Sequence, residues 1–373
     1  MDTLDFTSSL YLGFQHPSAA LAPWHALTLG KPALLEEFDD ARDAARALAA
    51  LAGCDAGCLL PSTFHLFWDL LGVSSRHAPI EIVMDAASYP ILRWCAEHWA
   101  VRGVPLRRFA ACDAGALART LGRLHGRRRP VVLCDGFLPG RDVQPPLARY
   151  AELAQAHRGW LLVDDTQGFG IRGERPCGER PYGHGGGGSL RWHGIAGEHV
   201  IVGASLAKGF GVPVALLAGG HEQIARFERD SASREHSSPP SMAVVRAAQH
   251  ALVLNRRVGE ARRVRLASLV RRWRAHLAGA GLRAQGLGFP VQSLQLPSGV
   301  DARPVHAALK RHGVEAVLSR AHEGRGDGAA RLSFLFNANH AAAAIDRAAA
   351  TLLDSVGSCV RAADRERALE ELR

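Results

Sequence analysis

The apolar positions of this chain fall into short, nearly continuous runs that alternate with stretches of mixed polarity. Within the mixed stretches, apolar residues recur every three or four positions, which is typical of an amphipathic helix. Apolar runs that alternate with helices predict a mainly parallel sheet covered by helices on both faces. The seven predicted strands are CLLPS, IEIVMD, PLRRFA, PVVLCDGF, WLLVDD, VIVGAS and PVALLAGG, and the predicted helices cover 33–53, 63–72, 90–102, 114–124 and 145–157.

The pattern changes along a long helix that is predicted over residues 239–278. After it, the runs FPVQSLQLP, VEAVLSRA and ARLSFLFNA are mixed with two helices, which is typical of a small α+β domain. We therefore predict an α/β protein with a seven-stranded sheet and a small C-terminal α+β domain. The predicted limits are 1–35 for an irregular N-terminal arm, 36–255 for a large domain and 256–373 for the small domain.

Composition and charge argue against several classes of protein. No apolar run among the 373 residues approaches the roughly 18 residues of a membrane span, and the N-terminus lacks the pattern of a signal peptide. The seven cysteines are odd in number and include no CxxC pair, which favours reduced thiols and no zinc site. The net charge of +9 comes largely from arginines on predicted helix faces. We expect a cytoplasmic protein with no metal, membrane or nucleic-acid partner.

Two glycine-rich stretches need separate interpretations. Residues 168–173 match GxGxxG, but that motif binds a dinucleotide only where it opens a helix, and the following GERPCGERPYG cannot begin one. Residues 175–190 are expected to form a mobile loop, either a lid over a site or a disordered insertion.

Lys208 lies in a loop flanked by glycines, between the apolar runs of residues 200–220. Lysine is rare in this chain, since Lys31, Lys208 and Lys310 are the only lysines among 45 basic residues. Arginine cannot lose its proton in a protein, whereas a desolvated lysine can, and a neutral amine can form a Schiff base. Taken alone, the residue is more simply explained as a surface lysine in a turn.

The neighbours of Lys208 favour a chemical role. Asp164 and Asp165 follow a predicted strand at its carboxyl end, where α/β sheets bind ligands. Adjacent strand residues point to opposite faces, so the pair does not form one chelate. A single carboxylate can hold a proton on the ring nitrogen of pyridoxal phosphate (PLP), and Lys208 can bind its aldehyde. Candidates for binding the phosphate are Ser205, Ser62 and Thr63, and Tyr89 is the candidate for stacking on the ring.

Several blocks of the sequence resemble the α-oxoamine synthases, a family of fold-type-I PLP enzymes that includes 8-amino-7-oxononanoate synthase. The most specific blocks are VDDTQGFGIRGE and GASLAKGFG, which are similar to the family's Asp pair and lysine loop in type and separation. The resemblance implies a fold-type-I PLP-transferase fold and a homodimer with active sites at its interface. The similar segments are 11–17, 135–174, 203–211, 312–320 and 330–340.

Carried over by position, the resemblance implies roles for individual residues. Lys208 matches the Schiff-base lysine and Asp164 matches the partner of the pyridinium nitrogen. Tyr89 stands where the family usually has a ring-stacking histidine. The resemblance also implies phosphate binding by Ser205, Ser62 and Thr63, and binding of the partner subunit's phosphate by Ser237 or Ser238.

Three positions depart from the family. Gln167 replaces the histidine that contacts the cofactor's phenolic oxygen, and it can donate a hydrogen bond but cannot carry a proton. Tyr89 is a poorer acid than a histidine at neutral pH. Ser333 replaces the arginine that holds the amino-acid carboxylate, and a hydroxyl does not reproduce a bidentate clamp. Arg320 and Arg331 are the alternative carboxylate ligands.

The leading hypothesis is a decarboxylative condensation of an amino acid with an acyl thioester of coenzyme A or a carrier protein. Lys208 serves as the base at Cα, and the ring held by Asp164 accepts the electrons. The alternative is an aminotransferase, or other PLP chemistry on a substrate that lacks an ordinary α-carboxylate, which Ser333 and Gln167 motivate. A third hypothesis is a homologue without activity, although such a protein needs no Schiff-base lysine.

Overall fold

The computed structural model describes residues 3–124, 127–319 and 330–370, with side chains to residue 361. The chain forms two compact units. The smaller unit consists of Met1–Gly13, Pro139–Asp142 and Ala261–Arg373, and the larger unit consists of Phe14–Leu138 and Val143–Glu260. The units are divided at other positions than the predicted domains, whose limits follow residues 35 and 255. The predicted domain limits stay a prediction.

The described residues contain twelve strands and twelve α-helices, which are numbered here in chain order. The strands are β1 (Leu4–Phe6), β2 (Ala56–Leu60), β3 (Ile80–Asp85), β4 (Leu106–Phe109), β5 (Arg129–Asp135), β6 (Trp160–Asp164), β7 (Val200–Ser205), β8 (Ala215–Gly219), β9 (Arg283–Gln285), β10 (Val291–Gln295), β11 (Val314–Ser319) and β12 (Arg331–Leu335). The helices are α1 (Asp39–Ala52), α2 (Thr63–His77), α3 (Pro90–Val101), α4 (Ala114–Gly122), α5 (Leu147–Ala156), α6 (Ser189–His193), α7 (His221–Asp230), α8 (Ala232–His236), α9 (Met242–Leu254), α10 (Glu260–Gly279), α11 (Ala302–Arg311) and α12 (Ala342–Glu370).

The larger unit is built on a seven-stranded sheet in the order β2-β8-β7-β6-β5-β3-β4. All neighbouring strands are parallel except where β8 pairs with β2 and with β7. Because β8 is antiparallel to both neighbours, β2 runs in the same direction as β7. The prediction of a mainly parallel seven-stranded sheet is confirmed, and six of its seven strands end at the same edge.

Alternate strand residues of the larger unit pack on opposite faces of the sheet. Ile80, Ile82 and Met84 of β3 join the buried cluster that contains α2, α3 and α7. Val83, between them, joins the cluster of α4 and α5 on the other face. Burial on both faces is why these strands have continuous apolar sequences, since each fully buried aliphatic side chain contributes roughly 1.5–3 kcal/mol.

The smaller unit contains a five-stranded sheet in the order β1-β11-β12-β10-β9. β1 is parallel to β11, and the other pairs are antiparallel. Its core includes Phe6, Trp273 and Phe334, with ring centroids of Trp273 and Phe334 4.4 Å apart. The predicted irregular arm thus includes a strand, which was missed because three residues are too few to show a period.

The long helix predicted over residues 239–278 is not one uniform α-helix. α9 ends at Leu254, a π-helical segment covers Asn255–Gly259, and α10 begins at Glu260. The two compact units meet in sequence directly after this segment. In the part of the chain that the structure describes, no helix has the combined length and apolar character of a membrane span.

The glycine-rich segment 175–190 is exposed over residues 175–180 and mostly buried over residues 182–190, so its second half is packed. The expectation of a mobile lid or a disordered insertion stays a prediction. The Gly185 N–H donates to Glu260 Oε1 (2.7 Å), and its carbonyl accepts from Asn255 Nδ2 (2.8 Å). A two-residue bridge also joins Glu174 to His184. The glycines permit close approach and positive φ where larger residues do not fit. No helix follows the GxGxxG stretch before α6, as the sequence indicated.

Replacement of Gly188 by alanine is expected to destabilise the protein strongly. This residue has φ of 87°, and an added Cβ would lie 2.0 Å from Asp165 Oδ2. We expect Gly188→Ala to lower the free energy of unfolding by about 2 kcal/mol or more. Gly178→Ala in the same segment is the matched control, because an added Cβ there meets nothing within 4 Å. Equal denaturant midpoints for both variants would show that the segment is not packed as described.

Candidate active site

The residues predicted to bind a cofactor follow the strand ends at one edge of the larger unit's sheet. β6 ends at Asp164 and β7 ends at Ser205. Lys208 lies in the connection from β7 to β8, and Ser62 is the N-cap of α2, after β2. Tyr89 is the N-cap of α3, after β3. The fold therefore brings these five residues to the edge where parallel strands end, which is the usual position of a ligand site.

Asp164 is a buried carboxylate, with 5% of its surface exposed. Its main chain is held on both sides, because its carbonyl accepts from the Gly136 N–H (2.7 Å) and β6 pairs it with Gly203 of β7. Its Oδ1 accepts from the Thr166 N–H at 3.0 Å. Burial raises the pKa of Asp164, and hydrogen bonds from Thr166 and the charge of Lys208 act in the opposite direction. The site therefore contains a carboxylate whose charge depends on its immediate partners.

Lys208 has the opposite electrostatic shift. Burial lowers the pKa of its amine, and the charge of Asp164 only partly offsets this effect. A lowered pKa increases the fraction of neutral amine near neutral pH. Burial therefore favours the neutral form of both groups, the carboxyl of Asp164 and the amine of Lys208.

The start of α2 provides a site that suits an anion. Ser62 Oγ accepts from the His65 N–H at 3.4 Å and lies 2.8 Å from His65 Nδ1. The helix is 15 residues long, so the amides of Thr63 and its neighbours, at the N-terminal end, point toward the strand edge with a partial positive charge. Ser205 adds a hydroxyl, whose Oγ accepts from the Ala207 N–H at 3.3 Å.

Tyr89 and Gln167 occupy different surroundings. The Tyr89 side chain is 57% exposed, while its N–H donates to Asp135 Oδ2 at the end of β5 (2.8 Å). This bond fixes the backbone and leaves the ring accessible for stacking. Gln167 is half-buried in the turn that follows β6. Asp135 was not predicted from the sequence, although it ends the neighbouring strand in the same way as Asp164.

Asp165 faces a different group of residues from Asp164, as strand alternation predicted. Its carboxylate accepts from the Ser189 N–H (2.7 Å) and Ser189 Oγ (2.5 Å). An added Cβ at Gly136 or Gly168 would lie 2.4 Å or 2.3 Å from Asp165 Oδ1. Burial raises the pKa of Asp165 to about 7, against the effects of Ser189 and of Arg172. Asp165 therefore anchors the glycine-rich segment rather than sharing a ligand with Asp164.

Ser237 and Ser238 belong to the connection after α8. The Ser237 hydroxyl donates to the Ser233 carbonyl, and its own carbonyl accepts from the Ala33 N–H at 2.9 Å. Ser238 is exposed. Of the two, Ser237 has a local capping role.

The predicted substrate ligands lie in the smaller unit. Ser333 of β12 is buried, and its Oγ is 2.7 Å from Ser293 Oγ of β10. Arg331 donates from Nη1 to the Gly140 carbonyl at 3.2 Å. Arg320, the other predicted carboxylate ligand, lies outside the described residues. Ser333, which was predicted to replace a carboxylate-binding arginine, is thus bonded to a second serine.

One contributor to the site was missed in the sequence. Thr166 Oγ1 accepts from the Ser205 N–H at 2.9 Å and thereby links the ends of β6 and β7. Only the pairing of these strands brings the two residues together, so no local pattern identifies the contact. Within residues 3–124, 127–319 and 330–370, no three His, Cys, Asp or Glu side chains are grouped to hold a metal ion.

Comparison with known proteins gives sequence relatives, although no family model matches the chain. The 8-amino-7-oxononanoate synthase of Thioalkalivibrio sulfidiphilus is 29% identical over 263 residues, or 70% of this chain and 63% of the relative. That of Alcanivorax borkumensis is 30% identical over 250 residues, or 67% of this chain and 61% of the relative. The chain therefore spans about three fifths of the length of these relatives.

Solved structures share the fold over nearly the whole chain. A serine palmitoyltransferase from Sphingomonas wittichii has a TM-score of 0.81 at 17% identity, covering 96% of this chain and 88% of its own. The 8-amino-7-oxononanoate synthase of Francisella tularensis has a TM-score of 0.67 at 18% identity, covering 95% and 98%. The chain is thus similar in sequence to 8-amino-7-oxononanoate synthases and in fold to these two solved structures. The predicted fold-type-I architecture is confirmed.

A third similar structure is a serine palmitoyltransferase from S. paucimobilis, which was solved with a bound PLP–myriocin aldimine. Its TM-score is 0.80 at 18% identity, and the match covers 95% of this chain and 88% of the other. At this identity the likeness establishes the shared fold.

The buried Asp165 generates a prediction about stability and pH. Its pKa in the folded protein is about 7, above its ordinary value of 3.8, so the folded state retains a proton that the unfolded state loses between these values. The contribution of Asp165 to stability is therefore fully present below about pH 4 and is lost as the pH rises through 7. Asp165→Asn keeps the shape and removes the titration. The unfolding free energy of Asp165→Asn minus that of the wild type should rise by up to about 4 kcal/mol between pH 4 and 8.

Chemical denaturation across this pH range measures that difference. Groups that titrate identically in both proteins cancel in the comparison. A difference that stays constant with pH would mean that Asp165 ionises normally in the folded protein.

Proposed function

We propose that this protein is a PLP-dependent transferase that condenses an amino acid with an acyl thioester and releases carbon dioxide. The observation that carries the proposal is the placement of buried Asp164 and half-buried Lys208 at one strand edge, with their pKa values shifted in opposite directions by burial. The sequence relatives named 8-amino-7-oxononanoate synthase support the reaction class. The serine palmitoyltransferase with a bound PLP adduct supports the cofactor.

The residues at the strand edge fit PLP in chemical type. Lys208 would bind the aldehyde carbon, and Asp164 would hold the proton of the ring nitrogen. The start of α2, with Ser62 and Thr63, and the hydroxyl of Ser205 would bind the phosphate. When bound, PLP supplies an electron sink for the bonds broken at Cα.

The surroundings of each group suit its proposed role. Burial keeps a fraction of Lys208 neutral, so its amine can accept a proton from Cα. Asp164 is excluded from water, so its charge acts on the ring nitrogen without screening by solvent. The exposed ring of Tyr89 is available for stacking, and Gln167 would donate a hydrogen bond to the phenolic oxygen.

The substrates are an amino acid or amine and an acyl donor, which we propose to be a thioester of coenzyme A or of a carrier protein. The net charge of +9 is compatible with an anionic donor. Arg320 and Arg331 are the proposed ligands of a substrate carboxylate. We also propose a homodimer, in which Ser237 or Ser238 reaches the phosphate bound by the partner subunit.

An aminotransferase is the second candidate, and one observation favours it. Ser333 stands in place of the family's carboxylate-binding arginine and is bonded to Ser293. A site without that clamp can accept an amine that has no carboxylate to lose. Such a substrate can exchange its amino group but cannot undergo decarboxylative condensation.

The two reactions differ in their products. Condensation of an amino acid with an acyl thioester yields an amino ketone, carbon dioxide and free thiol in equal amounts. We therefore expect thiol release from an acyl-coenzyme A panel only when the correct amino acid is present, with labelled carbon dioxide from its carboxyl carbon. Amine transfer to an oxo acid without thioester consumption would identify an aminotransferase instead.

Two lysine variants control the assay. Lys208→Ala should lower turnover by a factor of about 1,000 or more, because no other group supplies the amine. Lys310→Ala, on α11, removes the same charge elsewhere and should leave turnover unchanged. Equal turnover in the wild type and Lys208→Ala would rule out both PLP reactions at this site.

A further inference from the structure

Thr166 lies where the ends of β6 and β7 meet. It follows Asp165 in the turn after β6, and β6 pairs Asp164 with Gly203 of β7. This pairing brings Thr166 next to Ser205, the last residue of β7 and three residues before Lys208. One side chain thus contacts the strand that carries the carboxylate and the strand that leads to the amine.

The hydrogen bonds of Thr166 have a fixed direction. The Ser205 N–H can only donate, so Thr166 Oγ1 is the acceptor of the 2.9 Å bond between them. The single hydroxyl proton of Thr166 is therefore available for the Asp164 carboxylate, with which its side chain also interacts. The Thr166 N–H donates to Oδ1 of the same carboxylate at 3.0 Å. Thr166 thus offers Asp164 two donors and no competing acceptor.

Two donors from one residue matter because Asp164 is buried. Burial favours the neutral carboxyl and raises the pKa of Asp164. Against this effect, the hydrogen bonds from Thr166 and the charge of Lys208 both lower the pKa. Hydrogen bonds to a charged group are also shorter and stronger than those between neutral groups. The charge of Asp164 therefore depends on Thr166 as well as on the amine of Lys208.

We propose that Thr166 is a positioning residue that keeps the Asp164 carboxylate ionised and fixed in orientation, so that it can hold a proton on the ring nitrogen of PLP. The inference rests on the proposed function, because it concerns the same cofactor. The inference adds that the protonation of the ring nitrogen depends on the hydroxyl of Thr166 as well as on Asp164.

Thr166→Val tests the inference because it keeps the branched shape and removes only the hydroxyl. A ring nitrogen that loses its proton withdraws fewer electrons, so the nitrogen linked to Lys208 becomes more basic. We expect the pH midpoint of the bound cofactor's visible absorbance to rise by at least about half a unit, and kcat to fall about tenfold with little change in the KM of the acyl donor. Thr166→Ser, which retains the hydroxyl, should restore both values.

Thr120→Val is the matched control, since the Thr120 hydroxyl bonds only to the Ala116 carbonyl within α4 among the described contacts. It should leave the absorbance midpoint and kcat as in the wild type. A wild-type midpoint in both Thr166→Val and Thr166→Ser would overturn the role of Thr166 while leaving the proposed function intact. Wild-type protein that shows no Lys208-dependent absorbance with PLP would overturn the proposed function, and the inference with it.

Discussion

The candidate site depends on the free-energy cost of removing the Asp164 carboxylate from water at the end of the buried strand β6. Asp164 is almost excluded from water, and a carboxylate in such a position stays ionised only where donors and an opposite charge replace its hydration. Thr166 and Lys208 provide these partners, and the same burial lowers the pKa of Lys208. A cofactor with a basic ring nitrogen and an aldehyde matches this pair, because it can bind one group through a proton and the other covalently.

The other face of the same strand end supports this arrangement. Asp165 points away from Asp164, binds Ser189 and excludes side chains at the glycines around it. The end of the glycine-rich segment, at Gly188 and Ser189, is consequently held against the residue that follows β6. The two adjacent aspartates therefore have separate partners, Thr166 for Asp164 and Ser189 for Asp165.

Much of the larger unit is predictable from sequence because its strands are buried on both faces. Runs such as IEIVMD and WLLVDD are mostly apolar and therefore easy to recognise, and Asp164 lies at the end of one of them. The short strands β1 and β9 are not predictable, since three residues show no period. The contact of Thr166 with Ser205 and the pair of Ser293 with Ser333 join residues about 40 positions apart, and only strand pairing creates them.

The glycine-rich segment shows the limit of composition as evidence. A run of glycines is typical of flexible chain, yet here Gly185 bonds to Glu260 and Asn255, and an added Cβ at Gly187 or Gly188 would collide with its neighbours. A glycine-rich sequence shows only that the segment has few side chains. Whether such a segment packs closely depends on which residues the fold places next to it.

The most direct test of the account is to locate the bond between cofactor and protein. The protein is incubated with PLP, reduced with borohydride and digested, and the three lysines Lys31, Lys208 and Lys310 are assigned by peptide mass spectrometry. The account predicts a stoichiometric pyridoxyl adduct on Lys208, with the other two lysines unmodified. An adduct on Lys31 or Lys310, or none on the folded protein, would contradict it.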